Sequence, residues 1–155
     1  MIDLQVRDMV KEDIISVMEL FGFDTNDEKK IKLFEELVDD KTTVMKVLEA
    51  DNGIIAFGAV DVSEVECAYI NQIIVNDKYR NRGFGKKMVK VLTGAALCML
   101  GRNIVFVCVG FDEICAIKIF QSVGYKILMK NTETNELIMS VDLSQKLVGN
   151  SKKYD

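Results

Sequence analysis

Arg80-x-x-Gly83-x-Gly85, with Lys78, Arg82, Lys86, Lys87 and Lys90 around it, is the stretch of this chain best suited to bind an anion. Ahead of it, Tyr69-Ile70-Asn71-Gln72-Ile73-Ile74-Val75 has the β-branched density of a strand. Behind it, Phe84, Met88, Leu92, Ala95 and Met99 recur at near-helical intervals. Two glycines therefore sit where a strand hands over to an amphipathic helix. Such a turn exposes backbone N–H groups at the positive end of a helix dipole, which suits a phosphate ester. A side chain at the glycines would hold that phosphate away from the backbone. Other phosphate loops do not fit. A Walker loop has a glycine five residues ahead of its Gly-Lys pair and Ser or Thr after it, where this chain has Arg80 and Lys87. In the dinucleotide fingerprint the third glycine would fall on Met88.

The elements that must hold this loop follow from the rest of the pattern. Hydrophobic residues make up 49% and charged residues 28%, a balance that folds rather than staying disordered. At 155 residues one domain is expected over residues 1–143, with a polar tail over 144–155. Alternation in Ile2-Asp3-Leu4-Gln5-Val6 predicts a first strand, and Ile14, Met18 and Phe21 predict a helix ending near Gly22. Thr25-x-x-Glu28 has the form of a capping box for a second helix, with Ile31, Phe34, Leu37 and Val38 inward. Val44 to Ala50 and Ile54 to Val62 are expected as strands joined at Asn52-Gly53, a hairpin signal. The helix after the basic loop is expected to reach Leu100 and close on Gly101. Asn103 to Val109 is almost wholly apolar, which predicts a strand buried on both faces. Asp112 is placed to cap a last helix, with Ala116, Ile119, Phe120 and Val123 inward and Gly124 at its end. Tyr125 to Met129 and Leu137 to Leu143 complete a hairpin. The order β-α-α-β-β-β-α-β-α-β-β predicts an α/β (α+β) fold, a mixed central sheet flanked by helices.

Composition removes several kinds of function. Histidine is absent, and with it go Ser-His and Cys-His pairs and the commonest metal ligand. Cys67, Cys98, Cys108 and Cys115 lie in apolar runs without metal-ligand spacing, so they are expected as reduced core residues and no metal is expected. There is no run of about 18 uncharged apolar residues and no signal-peptide pattern, so a cytoplasmic protein without a membrane partner is expected. Net charge is −4, yet residues 76–90 carry six basic side chains against one acidic, leaving −9 on the remainder. A basic island in an acidic chain suits a compact polyanion rather than a nucleic acid, which needs a broad basic surface.

In this setting the glycine loop resembles the acyl-CoA pyrophosphate loop of the GNAT family of N-acyltransferases. Val6-Arg7 followed by Asp13, Ile73-Ile74-Val75 ahead of the loop, Ala116 before Gly124-Tyr125, and Leu137-Ile138-Met139 extend the resemblance over residues 2–143. The resemblance implies an acetyl-CoA-dependent N-acetyltransferase, passing an acetyl group directly to a primary amine of a small molecule or peptide. It implies that backbone N–H groups of Arg82, Gly83, Phe84, Gly85, Lys86 and Lys87 meet the pyrophosphate of coenzyme A. Lys78, Arg80 or Lys86 would meet its other phosphate. Ile73 and Val75, flanking Ile74, would pair with the pantetheine amides as a sheet edge pairs with an added strand. For that, the central strand must splay from Asn103 to Val109.

The catalytic half of the resemblance is less complete. A lysine-like amine of pKa ~10.4 costs about 4–5 kcal/mol to deprotonate at pH 7, so a base or a water chain is needed. Many relatives carry a tyrosine as proton donor four residues before the Gly-aromatic pair, where this chain has Phe120. The asparagine often found seven residues earlier is Glu113. Candidates for proton transfer or water orientation are Tyr69, Asn71 and Glu113, with Tyr69 and Asn71 expected on one strand face and Gln72 on the other. Tyr69 could equally be packing, and Glu113 a helix-dipole partner. Cys115 has no histidine to activate it. Phe21 to Asp40, a variable lid in the family, carries Asp24, Asp27, Glu28, Glu35, Glu36, Asp39 and Asp40, which would favour a cationic acceptor. An acyl-CoA sensor with weak turnover and a homodimer through the last strand are the competing readings.

Overall fold

The computed structural model describes residues 4–51 and 53–142. The expectations for Ile2 and Asp3, for Asn52 of the hairpin, and for the tail from 143 onward lie outside those residues. β1 (Gln5–Asp8), β2 (Thr43–Ala50), β3 (Gly53–Asp61), β4 (Cys67–Val75), β5 (Ile104–Gly110), β6 (Lys126–Asn131) and β7 (Glu136–Asp142) form one sheet. Their order is β1-β2-β3-β4-β5-β7-β6, and only the β4–β5 pair is parallel. α1 (Ile14–Phe21) and α2 (Glu28–Asp39) pack on one face. α3 (Phe84–Gly94) and α4 (Ile114–Val123) pack on the other. The expected element order and the mixed sheet are both present.

β3 runs between the two layers and is buried on both sides. Ala56 and Val60 join the cluster under α3, whereas Phe57 and Ala59 join the one under α1 and α2. A Cβ on Gly58 would lie 2.7 Å from Leu92 Cδ1 and 2.8 Å from Met88 Cγ, so glycine is what lets α3 approach this strand. Met88 and Leu92 are in turn fully buried, worth about 1.5–3 kcal/mol each in apolar transfer. This contact anchors the helix that begins at the glycine loop. At the other end, Arg7 forks onto buried Asp13 at 2.7 and 2.9 Å and onto Glu49, tying the start of α1 to β1 and β2. The Arg7 hydrogen bonds hold the Asp13 carboxyl below its ordinary range.

Four expectations are corrected. α2 is capped by Asp27, which accepts from Lys29 N at 3.1 Å and Lys30 N at 3.3 Å, and not by Thr25. An Asx turn at Asp24 holds Thr25 ahead of the helix, its Oδ1 accepting Asn26 N at 2.9 Å. α3 ends at Gly94 and passes into a π turn, Ala95–Met99, closed by Leu100 N on Ala95 O at 3.0 Å; Gly101, at φ +68°, follows. β5 is buried on one face only: Val105, Val107 and Val109 are covered, but Cys108 is exposed. The cysteines are free but not core residues, since Cys98, Cys108 and Cys115 are exposed and Cys67 is half-buried. For Cys108 the physical reason is that α1 and α2 cover β2, β3 and the end of β4 and leave β5 open.

Candidate active site

β4 and β5 pair only from Cys67↔Ile104 to Ile70↔Val107, while β4 stays paired to β3 as far as Val75↔Ala56. Beyond Ile70 the parallel strands part, as the resemblance required. The parting opens a cleft of about 300 Å³. Exposed Asn71, Gln72, Cys108 and Glu113 and buried Val89 and Phe120 are among its walls, with Ile73 and Gly85 between them.

A bulge shapes the cleft. β3 pairs Val60 with Ile70 and Ala59 with Gln72, so Asn71 is an extra residue in β4. Ile70 and Ile73 consequently pack on the α3 side together, and Ile74 packs with α1 and α2. The bulge overturns the expectation that Tyr69 and Asn71 share a face opposite Gln72. Cross-strand pairing places Tyr69, beside Asp61, and Gln72, beside Ala59, on the same face. Tyr69 is not in the cleft wall; its ring stacks on Phe106. The Cys67 thiol, followed by burial and the Glu64 and Asp61 carboxylates, raises the pKa of its hydroxyl above the ordinary value.

At the end of β4 the chain makes a 3-10 turn, Asp77–Tyr79, with Asn76 Oδ1 accepting Lys78 N at 3.0 Å. Asn81 (φ +63°) and Gly83 (φ +87°) then take left-handed conformations, and Gly83 caps α3. The first intrahelical bond is Lys87 N on Gly83 O at 3.0 Å, so the amides of Phe84, Gly85 and Lys86 have no partner within the helix. Arg82 lies over the Tyr79 ring at 5.4 Å, and Tyr79 packs on Phe84 at 6.2 Å, which steadies the turn. Arg80 pairs with Asp77 at 3.0 Å and, with Val75 and Lys78, lines a second hollow against Ser16 and Glu19 of α1. Among the described residues Lys78, Arg82, Lys86 and Lys87 form no ion pair.

The cleft thus joins the glycine turn to the start of α4. Glu113, not Asp112, is the N-cap of α4, and its Oε2 accepts Gly110 N at 3.1 Å. Sequence reasoning placed Asn71, Ile73, Gly85, Glu113 and Phe120 at the site and missed Gln72 and Cys108, for which no local signal exists. Among the described residues no cluster of side chains could hold a metal, and no helix is long and apolar enough to cross a membrane.

Sheet order, a splayed parallel pair and a glycine turn opening a helix are together the architecture that the GNAT resemblance implied. The chain belongs to the acetyltransferase (GNAT) family, whose family model matches residues 10–125. It is accordingly an N-acetyltransferase, moving an acetyl group onto an amine. No curated protein sequence matches it. Among solved structures it is similar to a variant of spermidine N-acetyltransferase SpeG from Vibrio cholerae (TM-score 0.80, 13% identity, covering 92% of this chain and 95% of that one). A dodecameric structure of the same enzyme has TM-score 0.79 and 14% identity, covering 93% and 96%. YncA of Salmonella typhimurium, solved with its cofactor acetyl-CoA, has TM-score 0.75 and 13% identity, covering 90% and 94%.

Phe120 is 6% exposed, sits edge-on to Tyr125 at 5.1 Å and lines the cleft. Phe120→Ala is expected to cost about 3–5 kcal/mol in chemical denaturation. Phe120→Tyr is expected to fold and to turn over at least as fast. A rate drop of more than about tenfold at unchanged stability and cofactor affinity would contradict a pure packing role.

Proposed function

We propose that this N-acetyltransferase draws on acetyl-CoA held in the β4–β5 cleft and acetylates a primary amine of a small cationic acceptor, in the cytoplasm. The observation that carries this reading is the cleft itself, which runs from the unpartnered amides of α3 to Glu113. The amides of Gly83, Phe84, Gly85 and Lys86 suit a pyrophosphate, with Lys78, Arg82, Lys86 and Lys87 adding charge. The β4 backbone at Ile73 and Val75 suits an extended amide chain laid alongside. When bound, acetyl-CoA supplies an activated acetyl thioester. Glu113 takes the proton of the incoming ammonium, and Asn71 in the bulge orients the acceptor. With Phe120 in place of a donor the coenzyme would leave as a thiolate, which a thiol of pKa about 8.5 permits, and the second proton of the amine would pass to water. Free, exposed cysteines suit a reducing compartment. The last strand, β7, is paired on both sides by β5 and β6 and offers no free edge, which corrects the expected interface. The open edge is β6, where Ile127, Leu128 and Met129 are exposed, and it suits pairing with a second copy.

A cationic acceptor agrees with the acidic remainder of the chain and with the spermidine acetyltransferases among its fold neighbours. Within the lid, Asp27 pairs with Lys30 and Asp39 with Lys11, whereas exposed Asp24, Glu28, Glu35, Glu36 and Asp40 form no ion pair among the described residues. A screen of primary amines with acetyl-CoA, following released thiol, tests the reading. Acetyl-CoA binding without thiol release on any amine would favour the sensor reading, to which Phe120 points. With acetyl-CoA saturating, kcat/KM for the acceptor should fall severalfold between about 50 and 500 mM salt. Replacing Glu35 and Glu36 together by Gln should flatten that dependence. A salt-independent rate would return the lid charges to solubility alone.

A further inference from the structure

Tyr69 lies in a central strand, yet it is 43% exposed. Its ring and that of Phe106 stack across the parallel pair, with centroids 5.3 Å apart and planes 22° from parallel. Strand register builds a row around them: Asp61 opposes Tyr69 from β3, and Ser140 opposes Phe106 from β7. Directly opposed residues of antiparallel strands hold their Cβ atoms about 4.5–5.5 Å apart, so Asp61 stands beside the Tyr69 ring. Asp61 Oδ1 also accepts Ser63 N at 2.8 Å, which fixes the carboxylate there. The influence of the Glu64 and Asp61 carboxylates on the Tyr69 hydroxyl is a second sign of negative charge at this ring. Lys126 ends the row beyond Ser140, so a cation is favoured on the Asp61 side.

This platform is continuous with the cleft. Gln72 and Cys108 line the cleft, and the bulge and the strand alternation place them on the same face as Tyr69 and Phe106. Phe106 and Cys108 are two residues apart on β5, about 7 Å along the strand. An aromatic face attracts a cation within about 6 Å of its centroid, and a nearby carboxylate adds to that attraction.

We propose that Tyr69 and Phe106, with Asp61, seat a second positive charge of the acceptor beside the cleft that receives the amine to be acetylated, making them specificity-determining residues for diamines. The proposal rests on the acetyl-transfer reading above and adds the acceptor's second charge to it. Putrescine and butylamine differ by one terminal ammonium and so isolate that charge. With acetyl-CoA saturating, kcat/KM for putrescine should exceed that for butylamine by about 3- to 30-fold, beyond the twofold given by its two equivalent amines. Phe106→Leu, Tyr69→Leu and Asp61→Asn should each pull the ratio toward one. Because the ratio is taken within each variant, a general loss of activity cancels. Calorimetric titration of the coenzyme A-loaded protein with both amines reads the same contrast without chemistry. Preferential putrescine binding with no turnover would sink the transferase reading and keep this subsite. Equal binding of the two amines, or a ratio unchanged in all three variants, would overturn the subsite and leave acetyl transfer standing.

Discussion

Gly85→Glu is expected to abolish acetyl-CoA binding while the protein stays folded. A Cβ at position 85 would meet Ile119 Cδ1 at 3.6 Å and Val75 Cγ2 at 3.9 Å, ordinary contacts that require no rearrangement. A carboxylate in the first turn of α3 also complements the helix dipole, so stability should not fall. Gly85 nevertheless lines the cleft at the amides assigned to the pyrophosphate. A negative charge about 4 Å from another costs about 4 kcal/mol at an effective dielectric of about 20, roughly a thousandfold in affinity. Gly85→Ala, which adds bulk without charge, should lose much less. Calorimetry with acetyl-CoA and a thermal melt separate the two effects. Unchanged affinity in the Glu variant would remove this turn from the binding site.

Glu113→Gln should lower kcat/KM for the amine about a hundredfold at neutral pH, the lower end of what a positioned base contributes. Glutamine can still accept the Gly110 N–H that Glu113 Oε2 holds at 3.1 Å, so the start of α4 should survive. The deficit should shrink as pH rises toward the acceptor's own pKa of ~10.4, because a free amine no longer needs the base. A carboxylate serving only the helix dipole predicts something else: a stability change of a few tenths of a kcal/mol and no change in rate. The pH–rate profile of the two proteins at saturating acetyl-CoA decides between them. Equal rates at neutral pH would leave the base unassigned.

The glycine turn of the proposed cofactor site was legible in the sequence because its determinants are local. Gly83 and Gly85 follow a β-branched run and precede a helical repeat, and each of those signals is set by residues within a few positions. Helix and strand identities and the element order follow from the same short-range patterns, and the family from the resemblance those motifs carry. The acceptor half was not legible. That Asn71 is a bulge is a difference of register between β3 and β4, two strands whose spacing along the chain carries no record of it. The side on which Tyr69 and Gln72 stand depends on that one residue. An apolar run such as Ile104–Gly110 reads as buried on both faces, yet Cys108 is open because α1 and α2 stop short of β5. Asp112 is the better cap by type, and only the turn at Gly110 selects Glu113 instead and sets it at the cleft. Periodicity reports what a segment does by itself, whereas register, exposure and the parting of β4 from β5 depend on what distant segments lay against it.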